Sequence, residues 1–147
     1  VLLAAMLCLS FAACGGDKAT DKTVDAAAMF QALLTDVTYT DNATELDSSM
    51  AGVLLGGELP DGTEAYLAAN DSAYLRCAVF ACKDKDAAAA VKKLIQTYID
   101  DSIDAKYNVD EVALLQNAKI HSMGNYVAVA VTSDTDNVNK VIDQYFA

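Results

Sequence analysis

One segment near the C-terminus constrains the fold more than any other part of the chain. Residues 126–132 read Tyr-Val-Ala-Val-Ala-Val-Thr, so valine alternates with small or aromatic residues. Because successive side chains of a β-strand point to opposite faces, the three valines share one face. We expect that face to bury against a helix. The opposite face is small enough to accept another element, for which the N-terminal helix is a candidate.

Two hairpins are predicted. Residues 119–122 and 126–132 flank Gly124-Asn125, a dipeptide typical of a tight turn. Residues 64–70 and 73–83 lie on either side of a short polar turn and predict a second hairpin further upstream.

Helical periodicity predicts four helices. The longest runs from Asp84 to about Lys106, because its apolar residues recur at the i, i+3, i+4 and i+7 spacing. A helix from Thr23, its expected N-cap, runs to about Asp36, and a short one covers residues 110–117. The last helix is expected to be capped by Asp134 and Asp136 and to reach Ala147.

This order of elements predicts one α+β domain over residues 23–147. Its sheet should be antiparallel, with about four strands from two hairpins and helices packed on it. The order would be helix, two strands, two helices, two strands and helix. Residues 39–50 are polar and aperiodic, which predicts a loop or short turns.

The first sixteen residues form an uncharged apolar run, and the first charge is Asp17. The run is shorter than the roughly 20 residues of a membrane-spanning helix but matches the apolar region of a secretory signal peptide. Its end, Phe11-Ala-Ala-Cys14, resembles a bacterial lipobox, although leucine is usual where Phe11 stands. No basic residue precedes the run, and we expect the natural chain to begin before Val1.

The lipobox predicts three segments. Residues 1–13 would be a lipoprotein signal peptide, and residues 14–22 a lipidated cysteine, Cys14, followed by a polar tether. The domain would then be held, through lipid on Cys14, at the extracytoplasmic face of the cell membrane. A plain secretory signal and a buried apolar segment are the alternatives.

Two cysteines would remain in the domain. Cys77 and Cys82 lie five residues apart in a predicted strand, hence on opposite faces and about 16 Å apart. A disulfide tolerates a Cα separation of at most about 7 Å, so we predict two free, packed thiols. Whether they have a redox role is open.

The chain has 21 acidic and 10 basic residues and a net charge of −11. Such a charge disfavours nucleic acid as a partner and is repelled by anionic lipid headgroups. It favours either cationic partners or simply solubility.

No catalytic or metal-binding motif stands out. His121, the one histidine, lies in a predicted strand next to Ser122, and neighbouring strand residues point apart. Neither a Gly-x-Ser-x-Gly elbow nor a zinc or calcium motif occurs. Asp100, Asp101 and Asp104 are expected on the solvated face of the long helix. We therefore predict no catalytic residue, metal or cofactor.

The chain from about Thr23 onward resembles the domain of unknown function family 4358, found in lipoproteins of clostridia and related Firmicutes. The resemblance is carried by residues 115–120 and Gly124–Val131, supported by Lys83–Asp86 and by residues 47–56. It implies a Gram-positive, membrane-anchored lipoprotein and brings no established activity or site residues.

The leading functional hypothesis is a non-enzymatic module of the cell envelope that binds a protein, cell-wall component or small ligand. Tyr39, Tyr66, Tyr74 and Tyr126 are candidates for contact surface, since tyrosine combines area with a polar tip. The alternative is a small envelope hydrolase that uses two carboxylates. The ligand and the oligomeric state are not fixed by the sequence.

Overall fold

A five-stranded antiparallel sheet runs through the protein and separates two layers of helices. The structure, a computed structural model, describes residues 22–105 and 108–147. In chain order the elements are α1 Ala26–Asp36, β1 Thr44–Leu46, α2 Met50–Leu55, β2 Glu64–Ala69, β3 Leu75–Ala81, α3 Lys85–Ala105, α4 Val109–Asn117, β4 Lys119–Met123, β5 Tyr126–Ala130 and α5 Thr135–Phe146. The strand order across the sheet is β1-β2-β3-β5-β4.

The α+β class, the antiparallel sheet and both hairpins are confirmed, whereas the strand count is corrected from about four to five. Two elements were missed. The loop or short turns predicted over residues 39–50 contain a strand, β1, and a short helix, α2, begins at the end of that stretch. Strand β1 pairs with β2 and forms one edge of the sheet, and α2 is a single helical stretch of six residues. The observed order is therefore helix, strand, helix, two strands, two helices, two strands and helix.

The valine face of β5 is buried, as predicted, and it packs against α3. Val127, Val129 and Val131 share one core cluster with Val91 and Ile95 of that helix. Helices α2 and α4 add Leu55 and Leu115 to the same cluster. This half of the core gives α3 its position across the sheet.

The alanine face of β5 accepts α1 and α5. Ala128 and Ala130 lie in a second core cluster with Phe30 and Leu33 of α1. Helix α5 contributes Val138, Val141 and Ile142. The prediction that the N-terminal helix packs on this face is therefore confirmed. The small alanine side chains let two helices approach the sheet.

Both thiols are free and buried, as predicted. Cys77 belongs to the cluster beneath α1 and α5, and Cys82 to the cluster beneath α3. Their opposite faces follow from their odd separation, with Cys77 in β3 and Cys82 directly after its end. Burial raises the pKa of Cys77 to about 11, which disfavours the reactive thiolate.

Two helix starts differ from the expectation. Asp25, not Thr23, caps α1, because its carboxylate accepts a hydrogen bond from the backbone of Ala28 at 2.9 Å. Asp134 occupies the N-cap position of α5, but its side chain makes no cap hydrogen bond. The carboxylate instead accepts a hydrogen bond from the backbone N–H of Thr38 at 2.9 Å, which joins α5 to the segment after α1.

The predicted signal peptide, Cys14 and most of the predicted tether lie outside the described residues. Among the residues that are described, no helix is long and apolar enough to span a membrane.

Candidate functional site

A β-bulge at the start of β3 places the chain's single arginine. Ala68 of β2 pairs with Cys77 and Ala69 pairs with Leu75, so Arg76 has no partner on β2. An extra residue of this kind bends the strand and redirects its side chain. The guanidinium group enters the protein beside the N-terminus of α4, and only 1% of Arg76 is exposed.

Two carboxylates hold the guanidinium group of Arg76. Asp41 accepts hydrogen bonds from Nε at 2.6 Å and from Nη2 at 2.9 Å. Glu111 accepts from Nη1 and Nη2, each at 2.9 Å, and the carbonyl oxygen of Leu75 accepts from Nη1 at 3.2 Å. All five donors of the guanidinium are therefore used. Two bidentate pairs of this kind are geometrically specific and strong for their type.

The two carboxylates differ in exposure. The side chain of Glu111 is 9% exposed and that of Asp41 is 40% exposed. The hydrogen bonds from Arg76 lower the pKa of Asp41 to about 2. Burial alone would lower the pKa of Arg76, but its hydrogen bonds with Asp41 and Glu111 outweigh that effect and raise it. Arg76 therefore stays charged, and Asp41 is ionised at neutral pH.

Two asparagines organise the backbone around this network. Asn70 donates to Asp41 at 2.7 Å, and its side-chain oxygen accepts from the backbone of Ser72 and Tyr74 in the β2–β3 turn. Asn108 caps α4 by accepting from the backbone of Asp110 and Glu111. The Asp41–Arg76–Glu111 network therefore joins the β2–β3 turn, the segment before β1 and the start of α4.

An apolar cleft of about 320 Å³ lies directly beside the network. It opens between the end of α2, the β2–β3 turn, the last turns of α3 and the first turns of α4. Glu111 is the member of the network that lines it. The other lining residues include Leu54, Leu55, Ala73, Tyr74, Tyr98, Ser102 and Val112. The Tyr98 hydroxyl accepts a hydrogen bond from the backbone of Leu75 at 3.1 Å, which fixes the aromatic wall.

The two short helices that flank this cleft also carry exposed apolar side chains. Within residues 22–105 and 108–147, the large hydrophobic residues that are exposed are Met50, Val53 and Val109. Val53 is 73% exposed and precedes the lining residue Leu54, and Val109 is 83% exposed and follows the lining residue Asn108. Exposed apolar residues on the helices that form a concave surface favour a binding role for this part of the protein.

The network and the cleft differ in what they can do chemically. Arg76 has no free donor for an external anion, and Asp41, with its pKa near 2, does not hold a proton for general acid catalysis at neutral pH. In the described part of the chain, no three metal-ligating side chains come together. The network therefore holds Glu111 in place at the cleft, and the cleft offers apolar and aromatic surface for contact.

The structure does not bring the four predicted contact tyrosines together. Tyr39, Tyr66 and Tyr126 pack at the margin of the core beneath α1 and α5, and only Tyr74 reaches the cleft. His121 lies on β4 and is partly buried, and its pKa is lowered by burial and by Lys119. The three aspartates of α3 are exposed as predicted, with Asp101 at the rim of the cleft.

Sequence reasoning missed Arg76 and Glu111. One signal was present: an arginine in the otherwise apolar segment Leu75–Ala81 has to find carboxylate partners if it is buried. Each partner lies 35 residues away along the chain, one on either side, so no local motif identifies them.

Comparison with known proteins gives a family and no close relative. No curated protein and no solved structure matches the chain. Residues 60–132 match the model of a family described as Domain of unknown function (DUF4358). The match begins ahead of β2 and ends just after β5, so it leaves out α1 and α5, over which the resemblance had also been predicted. The match over residues 60–132 confirms the family that was predicted from the sequence.

Proposed function

We propose that this protein is a lipid-anchored, extracytoplasmic binding module that engages an envelope protein, cell-wall component or small ligand through the cleft between α2 and α4. The observation that carries the binding role is the cleft itself, and Val53 and Val109 are exposed on two of the helices that form it. The support for the anchor is the apolar run that ends in Phe11-Ala-Ala-Cys14-Gly-Gly.

The cleft supports binding because it combines a rigidly held polar group with apolar walls. Glu111 lines the cleft and is held by its bidentate ion pair with Arg76, which Asp41 in turn fixes. The rest of the lining is mostly apolar, and binding sites usually combine apolar walls with a few fixed polar groups. Helices cover both faces of the sheet, so neither sheet face is available as an open contact surface.

The hydrolase alternative has less support. A carboxylate pair that cleaves a glycosidic bond needs one acid with a raised pKa. The acid of the network with the clearest shift, Asp41, is shifted down to about 2.

The anchor is tested by expressing the precursor in a bacterium with labelled palmitate and comparing it with Cys14→Ala. We expect label in the wild type and none in the variant, with the wild type in the membrane fraction. Globomycin should leave the precursor unprocessed. Absence of label from the wild type would remove the anchor from the proposal.

The cleft is tested by cross-linking in intact cells from a photoreactive residue at position 54. A Val53→Asp/Val109→Asp variant should lose the cross-linked species that the wild type forms, because charge opposes apolar contact. Gln144→Asp is the matched control, since it adds charge on the exposed side of α5, in the opposite helical layer. Equal cross-linking by all three proteins would contradict the cleft as the binding surface.

A further inference from the structure

The second unusual surface of this protein is the edge of the sheet formed by β4. Within the described residues, β4 pairs with β5 and with no other strand. An edge of this kind presents unpaired backbone N–H and C=O groups to whatever lies outside it.

The register identifies which groups face outward. The two-residue turn Gly124-Asn125 joins Met123 to Tyr126, and the residues that flank such a turn exchange hydrogen bonds with each other. Hydrogen-bonded and non-hydrogen-bonded pairs alternate along an antiparallel ladder. The N–H and C=O groups of Ile120 and Ser122 therefore point away from β5, toward the open edge.

The surroundings of this edge are cationic, although the protein carries a net charge of −11. Shallow clefts lie on both sides of β4, and Lys119 and His121 line both of them. Lys92 and Lys93 of α3 line the cleft on their side, and no acidic residue lines either one. Asp143 of α5 is the acidic residue whose charge acts on His121. It raises the pKa of this histidine, whereas burial and Lys119 lower it.

None of these three lysines forms an ion pair within the part of the chain that the structure describes. Three of the ten basic residues thus converge, unneutralised, on one sheet edge of an acidic domain. Lysine on an edge strand repels a second copy of the same edge, whereas it attracts a strand of opposite charge.

We propose that β4 binds an extended acidic peptide segment of another protein, which adds to the sheet as a sixth strand. Backbone hydrogen bonds with Ile120 and Ser122 would supply the pairing. Lys92, Lys93 and Lys119 would select carboxylate side chains and speed association. This site is separate from the cleft between α2 and α4, so either can fail without the other.

The test uses the full chain in a non-ionic detergent and the labelled peptide acetyl-Glu-Val-Glu-Val-Glu-Val-amide. We expect saturable binding by fluorescence anisotropy, and slower hydrogen exchange of the Ile120 and Ser122 amides when peptide is present. A Lys92→Glu/Lys93→Glu variant should bind about tenfold more weakly, and Lys119→Glu should also weaken binding. Lys83→Glu, which reverses a charge beside the Gly62 turn, should bind like the wild type.

Three results would overturn the proposal. A peptide methylated on its backbone nitrogens that binds as well as the parent would show attraction by charge alone. Polyphosphate that displaces the peptide without changing amide exchange in β4 would indicate an anion surface instead. Concentration-dependent dimerisation with protection of the same two amides would assign the edge to a second copy of this chain.

Discussion

Replacing Arg76 by methionine should destabilise the fold more than any substitution of similar size at the surface. The change removes the guanidinium group and keeps an unbranched side chain of similar reach. It leaves Glu111 without a cationic partner at a site where its side chain is 9% exposed, and it leaves Asp41 without its main partner. Burial of an unpaired charge is the dominant cost.

The size of the effect depends on how well water can hydrate the two carboxylates that lose Arg76. Removing one partner of a buried ion pair typically costs about 3–5 kcal/mol. Asp41, with a side chain 40% exposed, can be rehydrated, so only Glu111 suffers the full penalty and the low end applies. We therefore expect the free energy of unfolding to fall by about 3 kcal/mol, with a decrease of roughly 10 °C in the melting temperature.

The measurement is urea unfolding followed by circular dichroism, on a Cys14→Ala background. The matched control is Arg76→Met/Glu111→Leu, which removes both members of the buried pair. It should regain about 2 kcal/mol, because a neutral apolar pair avoids the unpaired charge. A loss below about 1 kcal/mol for Arg76→Met, or a double variant no more stable than the single one, would refute this account of the network.

Three further predictions concern the same fold. Asp41 is ionised in the folded state down to a pKa of about 2, against 3.8 without its partners, so its contribution should be present above about pH 4 and be lost as the pH falls toward 2. Asp41→Asn should lower the free energy of unfolding at pH 7 by about 1 kcal/mol, after allowance for solvent screening. In urea titrations at several pH values, the variant should lose less stability than the wild type between about pH 4 and pH 2. Ala73 has φ 61°, so Ala73→Gly should raise the urea midpoint, by about 0.5–1 kcal/mol in stability, whereas Ala73→Val should lower it. Cys77 and Cys82 should react with a thiol reagent at pH 8 only after urea is added; rapid labelling of the folded protein would contradict their burial.

The sequence predicts the larger elements because their periodicity is long enough to be unambiguous. Helix α3 repeats its apolar stripe over five turns, and β5 alternates over its whole length. Strand β1 has only the residues Thr44, Glu45 and Leu46, which offer no alternation, and its pairing with β2 decides its structure. Helix α2, six residues long, is similarly defined by contact with α3 and not by its own pattern.

The cleft is harder to predict than the elements that form it. It depends on how Arg76 joins two segments that lie 35 residues before and after it. The bulge that directs Arg76 inward has no distinctive residue, since neither glycine nor proline occurs there. Long-range electrostatics of this kind becomes visible only when the register of the strands is known.

The arrangement of the two helical layers bears on what counts as the structural unit of this family. The matched segment, residues 60–132, supplies β2 to β5 and two of the three helices on the valine side, α3 and α4. It contains neither α1 nor α5, so excised alone it would present Ala68, Val79 and Ala128 to water. Helices α1 and α5 are thus as necessary to a stable domain as the matched residues. Truncation at the ends of the match would yield an aggregation-prone fragment with one face of its sheet uncovered.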